Sequence, residues 1–239
     1  MNDTIPAALR TAVRRDPTTP LLTWYDDASG DRTELSGATM DNWVSKTANL
    51  LTDGAGLDHG DSVAVLLPPH WQTAAILLGT WAAGLTAART AFPRPVDMLF
   101  TWPGDVDTAA AWPSGERYAT GLLPLAMPLR ELPAGYADYT IEVRAYGDHF
   151  TPIQPVTPAS AALDDITHEA ISGTATARAQ ELGITAGSRV LINAATYPDP
   201  RDWLLAPLFA GASVVLCANL DESAIDRRVS SENVTLVLR

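Results

Sequence analysis

The 239-residue sequence predicts an α/β fold with mainly parallel sheets and flanking helices, arranged as two related lobes. Two observations carry this expectation. Continuously apolar short runs such as "DSVAVLLP" alternate with helical stretches, the pattern of parallel strands covered on both faces. Glycines also recur at a fixed interval: Gly183, Gly187 and Gly211 lie 127 residues after Gly56, Gly60 and Gly84. Leu57, Val63, Val65 and Ala83 fall on Ile184, Val190, Ile192 and Ala210 at the same interval, so "GLDHGDSVAV" and "GITAGSRVLI" read as one strand entry used twice. The lobes are expected over 1–130 and 131–239, packed as one unit, with a Pro-rich connection around 91–160.

A short helix near Pro6–Arg14 opens the chain. "PLLTWYD" then reads as a strand and "DASGD" as a tight acidic turn. In "LSGATMDNWVSKTANLLTDGAG", Met40, Trp43, Thr47, Leu50 and Leu51 stand at helical spacing with Gly54 and Gly56 past the end. "DSVAVLLP" follows as a buried strand, 70–83 as a helix ending at Gly84, and "LTAART" as another strand. Within the connection, "PVDMLFTWPG" and "DYTIEVRAY" read as strands and "TPIQPVTPAS" as a linker. The interval of 127 places "HEAISGTATARAQEL" on the helix of the first lobe. Ile171, Ala175, Ala179 and Leu182 recur there at helical steps, with Thr167 or Asp165 to cap the start and Glu169 in the first turn.

Composition narrows the function. Sixteen basic against 28 acidic residues leave a net charge of −12, and no basic run exceeds Arg14-Arg15 or Arg227-Arg228, so no nucleic-acid partner is expected. The N-terminus has no apolar core of a signal peptide, and "AAILLGTWAAGLTAA" falls short of the roughly 20 residues a bilayer crossing needs. A cytoplasmic location and no membrane span are therefore expected. Cys217, the single cysteine, sits in "ASVVLCA" and reads as a buried strand residue. His59, His70, His149 and His168 share no ligand spacing, so no metal site is expected. "DDASGD" lacks the distal glutamate of a calcium loop, and neither G-x-S-x-G nor G-x-G-x-x-G occurs.

"LSGATMDNWVSKTANLL…GLDHGDSVAVLLPPHWQTAAILLGTWAAG" resembles the N-terminal region of AMP-binding acyl-activating enzymes, the adenylate-forming superfamily that includes acyl-CoA synthetases. "GITAGSRVLINAATYPDPRDWLLAPLFAGASVVLC" and "ENVTLVLR" resemble its second lobe, and "EVRAYGDHFTP" is similar to a short actinobacterial group. The resemblance implies a scaffold related to an ATP-dependent ligase. Ser172-Gly173-Thr174 shares the opening of the family's phosphate loop, but such a loop needs several glycines so that backbone N–H groups can surround the anion. The loop's Pro-Lys-Gly ending has no counterpart, Lys46 is the only lysine, and no catalytic residue of the family can be assigned. The segment is expected to be a helix.

A catalytically incomplete binding or regulatory module is the preferred expectation, with a small molecule or a protein as partner and homo-oligomerisation left open. The alternative is an enzyme completed by a partner chain or with altered chemistry. ATP, AMP and CoA have no supporting motif, so no cofactor is assigned. Two patches supply candidate ligand-binding residues. In "DYTIEVRAYGDHF", Glu142 and Arg144 would share a strand face and pair, or Arg144 and His149 would anchor a pocket. "PPHWQ" and "PDPRDW" each begin a helix past a strand's carboxyl end, which singles out His70, Trp71, Arg201, Asp202 and Trp203.

Overall fold

The computed structural model describes residues 3–89 and 92–239. Thr90, in the expected strand "LTAART", and Ala91, at the start of the connection, lie outside them. In chain order the elements are α1 (Ile5–Arg15), β1 (Pro20–Asp26), β2 (Asp31–Ser36), α2 (Gly37–Asn49), β3 (Ser62–Val65), α3 (Trp71–Ala82), β4 (Thr86–Ala88), β5 (Val96–Thr101), α4 (Val106–Ala110) and β6 (Ser114–Ala119). They continue as β7 (Ala137–Asp138), α5 (Tyr139–Glu142), β8 (Ala161–Leu163), β9 (Ile166–Thr167), α6 (His168–Glu181), β10 (Arg189–Asn193), α7 (Ala206–Ala210), β11 (Ser213–Ala218), α8 (Ile225–Ser231) and β12 (Leu236–Leu238).

Local chemistry explains the boundaries. Thr4 caps α1 by accepting from the Ala7 amide, Pro6 suits its first turn, and Arg14 and Arg15 complement the negative end of its dipole. α2 runs into a wide turn over Leu50–Gly54. Thr167 accepts from the Ala170 amide at 3.3 Å to start α6, whose Ile171, Ala175 and Ala179 are buried.

Contacts divide the chain into two compact units. One comprises residues 1–40, 69–74 and 172–239 and holds a five-stranded sheet in the order β12-β10-β11-β1-β2, parallel except for β1–β2. The other comprises 41–68 and 75–171 and holds a seven-stranded sheet, β7-β6-β5-β3-β4-β8-β9, parallel except for β8–β9. The division differs from the expected split after residue 130. β1 pairs in parallel with β11, Leu22 opposite Val214, so the N-terminal strands join the sheet of the C-terminal ones.

The repeat is visible at the level of single hydrogen bonds. All six glycines of the 127-residue pattern have positive φ: Gly56 +71°, Gly60 +96° and Gly84 +79°, against Gly183 +72°, Gly187 +81° and Gly211 +73°. The Gly60 amide donates to the Gly84 carbonyl at 3.0 Å, and Gly187 donates to Gly211 at 3.0 Å. β3 pairs with β4 with Ser62 opposite Thr86, and β10 with β11 with Arg189 opposite Ser213. In both sheets the first strand of the repeat lies between the next two, β5-β3-β4 and β12-β10-β11. A left-handed backbone at these points is cheap only for glycine. Gly84 is the tightest of the six, since a Cβ there would fall 2.3 Å from Nδ1 of His59. Gly84→Ala is expected to lose about 1–2 kcal/mol from backbone conformation, with a further loss from displacing His59, measurable by thermal denaturation.

The stretch 138–150 departs from expectation. It forms no strand beyond Asp138: Tyr139–Glu142 is α5, and Val143–Ala145 continues as a 3₁₀ turn. The Asp138 carboxylate accepts from both the amide and the hydroxyl of Thr140, and this cap turns the chain into a helix at the point where its aromatic and β-branched residues suggest a strand.

Candidate functional site

Ser172, Gly173 and Thr174 lie within α6, and the position beside Gly173 is open space with no atom within 4 Å. Thr174 and Arg178 point from this helix toward the turn that follows β10. Together with Ala177, Glu181, Asp199, Arg201 and Asp202 they line a surface cleft of about 400 Å³. Arg178 Nε donates to Asp202 at 2.7 Å and its Nη1 to Glu181 at 3.0 Å. Arg201 Nη2 pairs with Asp199 at 2.5 Å, while the Arg201 amide donates to the same carboxylate at 2.8 Å. The hydrogen bond that Arg178 donates to Asp202, then the one it donates to Glu181, raises its basicity; the bond to Asp199 does the same for Arg201.

Two guanidiniums therefore face three carboxylates. Each arginine already has its counter-charge, so a triphosphate would have to compete with a carboxylate already in hydrogen-bond contact. The arrangement suits a small polar ligand bearing both donors and acceptors, or a polar peptide segment. Lys46 offers no alternative anion site, because its ammonium pairs with Asp148 at 2.8 Å and donates to the Tyr146 carbonyl at 2.6 Å.

A second cleft, of about 300 Å³, opens at the carboxyl ends of the seven-stranded sheet. Val65 to Pro68 follow β3, Arg89 follows β4, and Trp102 and Asp105 follow β5. The chain departs from β3 to opposite sides here, the topological switch point where open α/β sheets form crevices. Arg89 donates to the Val65 carbonyl at 3.1 Å.

The structure brings Arg201 and Asp202 together in the first cleft and leaves the other expected residues outside it. His70 is buried, its ring edge-on to Trp24 at 4.3 Å and its Nδ1 accepting from the Gln72 amide. Burial holds its pKa down to about 3, so it is a neutral core imidazole. Trp71 and Trp203 are 2% and 1% exposed, core side chains rather than walls of a cleft. Arg144 does not pair with Glu142, since the two sit on a helical turn rather than a strand; it donates to the Leu125 and Ala126 carbonyls. His149 is exposed, and its backbone carbonyl accepts from Asn49. Glu181 and Asp199 were missed by sequence reasoning, although Glu181 stands three residues after Arg178 on a helix face, a spacing that signals a pair. Cys217 is buried in β11, and burial pushes its thiol up to about 11. No helix among the described residues is long and apolar enough to cross a membrane.

The fold and its repeat define the class as the N-terminal domain fold of AMP-binding enzymes. The AMP-binding enzyme family model matches residues 9–91. Acyl-CoA synthetase from Brucella canis superposes with a TM-score of 0.72 at 18% identity, over 96% of this chain and 46% of that one. The N-terminal domain of FACL13 from Mycobacterium tuberculosis superposes with a TM-score of 0.66 at 14% identity, over 98% of this chain and 62% of that one. At these identities the likeness is one of fold, and the chain spans about half the length of the synthetase. A TIGR03089 family protein of Mycobacterium tuberculosis is 41% identical over 239 residues, 97% of this chain and 96% of that protein. The chain belongs to the TIGR03089 family.

Proposed function

We propose that the chain is a catalytically incomplete relative of the acyl-activating enzymes, acting as a binding or regulatory module with a small molecule or protein partner held at the cleft between α6 and the turn after β10. One observation carries this reading: the Ser-Gly-Thr segment is a helix, and both arginines beside it are neutralised by carboxylates. The module is expected to catalyse no ATP–pyrophosphate exchange with a panel of short-chain, long-chain and aromatic carboxylic acids. Acid-dependent exchange above the protein-free blank would overturn the proposal.

The second reading, an enzyme completed by a partner chain, is favoured by the cleft at the switch point of the seven-stranded sheet and by the greater length of the solved synthetase. Thermal denaturation with ATP, AMP, CoA and an acyl-CoA separates the two. A ligand at about a hundred times its dissociation constant adds roughly 2.7 kcal/mol of stability. Stabilisation by ATP or CoA lost on Arg89→Ala supports the enzyme reading, whereas stabilisation lost on Arg178→Ala with no exchange activity supports the module.

A further inference from the structure

The loop between β6 and β7 displays apolar side chains at a conformational cost. Leu122, Leu125 and Ala126 have φ of 53°, 55° and 51°, left-handed values that L side chains rarely adopt. Two tethers hold this backbone. Asp138, the cap of α5, accepts from the Leu129 amide at 2.7 Å, and Arg144 Nη2 donates to the carbonyls of Ala126 at 2.7 Å and Leu125 at 3.4 Å. Ala126 is buried as a result, but Leu125 is 81% exposed and Met127 47%. Ile141, 54% exposed, lies three residues before Arg144 on the same helical turn and therefore on the same side. The strained turn thus presents Leu125 to solvent beside Met127 and Ile141, whereas isolated exposed apolar residues are ordinary and carry no message.

Arg144 supplies the polar centre of this patch. Both of its hydrogen bonds among the described residues use Nη2 and end on neutral carbonyls, so no described carboxylate neutralises it and Nε and Nη1 have no described acceptor. A guanidinium edge set among apolar side chains complements a carboxylate flanked by apolar residues. A second copy suits the patch less well, because a two-fold contact centred on Arg144 would bring two like-charged guanidiniums together.

We infer that Leu125, Met127, Ile141 and Arg144 form a docking surface for an acidic amphipathic segment of another polypeptide, its apolar side chains on Leu125 and Ile141 and a carboxylate on Arg144. The surface is separate from the α6 cleft and does not depend on the proposed function.

The probe is a random 12-residue peptide display library, selected on the intact chain after depletion on the bare support. Enriched peptides are expected to carry Asp or Glu within one turn of two apolar residues. Their affinity should fall at least tenfold with Leu125→Asp and with Arg144→Gln, and should weaken with rising salt. Because Arg144 also tethers the loop, Leu125→Asp, at an exposed position, serves as the variant that leaves the fold intact, checked by circular dichroism. No enrichment, enriched peptides without a carboxylate, or affinity unchanged by both substitutions would overturn the inference. So would concentration-dependent dimerisation in the analytical ultracentrifuge that Leu125→Asp abolishes, which would make the patch a self-interface.

Discussion

Replacing Glu232 with alanine is expected to remove about 3–5 kcal/mol of folding stability, read from urea denaturation at neutral pH. The carboxylate is 7% exposed and is the hub of the five-stranded sheet's polar network. Its Oε1 accepts from the Tyr25 hydroxyl at 2.5 Å and from Arg32 Nη2 at 2.9 Å; its Oε2 accepts from Arg189 at 2.6 Å. Arg189 is itself only 13% exposed, so truncating Glu232 removes the counter-charge of a largely buried guanidinium, which keeps only its neutral acceptors, the Glu232 carbonyl and Thr23 among them. Burial pushes the Glu232 carboxyl up, but the hydrogen bonds from Tyr25, Arg189 and Arg32 outweigh it and hold the pKa below the ordinary 4.5. Asp27 is likewise held below 3.8, its burial outweighed by Arg228 and by the Asp221 amide. Depressed carboxylates contribute stability above their unfolded pKa and lose it as pH falls through the folded one. Wild-type stability should therefore decline as pH drops below about 4.5, and Glu232→Gln should be less stable at pH 7 with a shallower acid slope. A Glu232→Gln variant with an acid profile parallel to wild type would remove Glu232 from this account.

Much of both sheets was legible in the sequence, but the closure of the five-stranded one was not. Continuous apolar runs marked β3, β10 and β11, because a strand buried on both faces has little room for polar residues. The spacing of Ile171, Ala175 and Ala179 identified α6 as a helix against the appeal of its Ser-Gly-Thr start. Nothing local tells β1 to pair with a strand some 190 residues later, since both strands present the same apolar pattern to any parallel partner. The reading of 138–150 failed for the opposite reason: one capping carboxylate, Asp138, outweighed the strand preference of the residues after it. For the candidate site, the place after a strand's carboxyl end singles out Arg201 and Asp202, which line the cleft, together with His70, Trp71 and Trp203, which are buried, because the rule locates a helix start but not which side of the helix meets water.

Tyr139→Ala is expected to cost about 3–5 kcal/mol and Tyr139→Phe about 1 kcal/mol, both by urea denaturation. Tyr139 is wholly buried, edge-on to Phe100 with ring centroids 5.6 Å apart, and burial pushes its phenol pKa above the ordinary range. Its hydroxyl meets that of Thr47 at 2.8 Å, and Thr47 also donates to the Trp43 carbonyl at 2.7 Å. Phenylalanine therefore keeps the ring packing and leaves Thr47 bonded, whereas alanine removes the whole ring. A Phe variant as unstable as the Ala variant would show that the hydroxyl pair, rather than the ring, closes this core. The repeat gives the comparison wider force. Thr174 stands 127 residues after Thr47, Arg178 after Leu51, and Asp202 after Ala75. Thr47, Leu51 and Ala75 are all wholly buried, while in the second repeat Thr174 is exposed and Arg178 pairs with Asp202 along an open cleft. One strand–helix plan thus yields a sealed core in one repeat and an open groove lined by paired charges in the other. Two apolar-to-charged differences at matched positions, Leu51 to Arg178 and Ala75 to Asp202, account for the contrast.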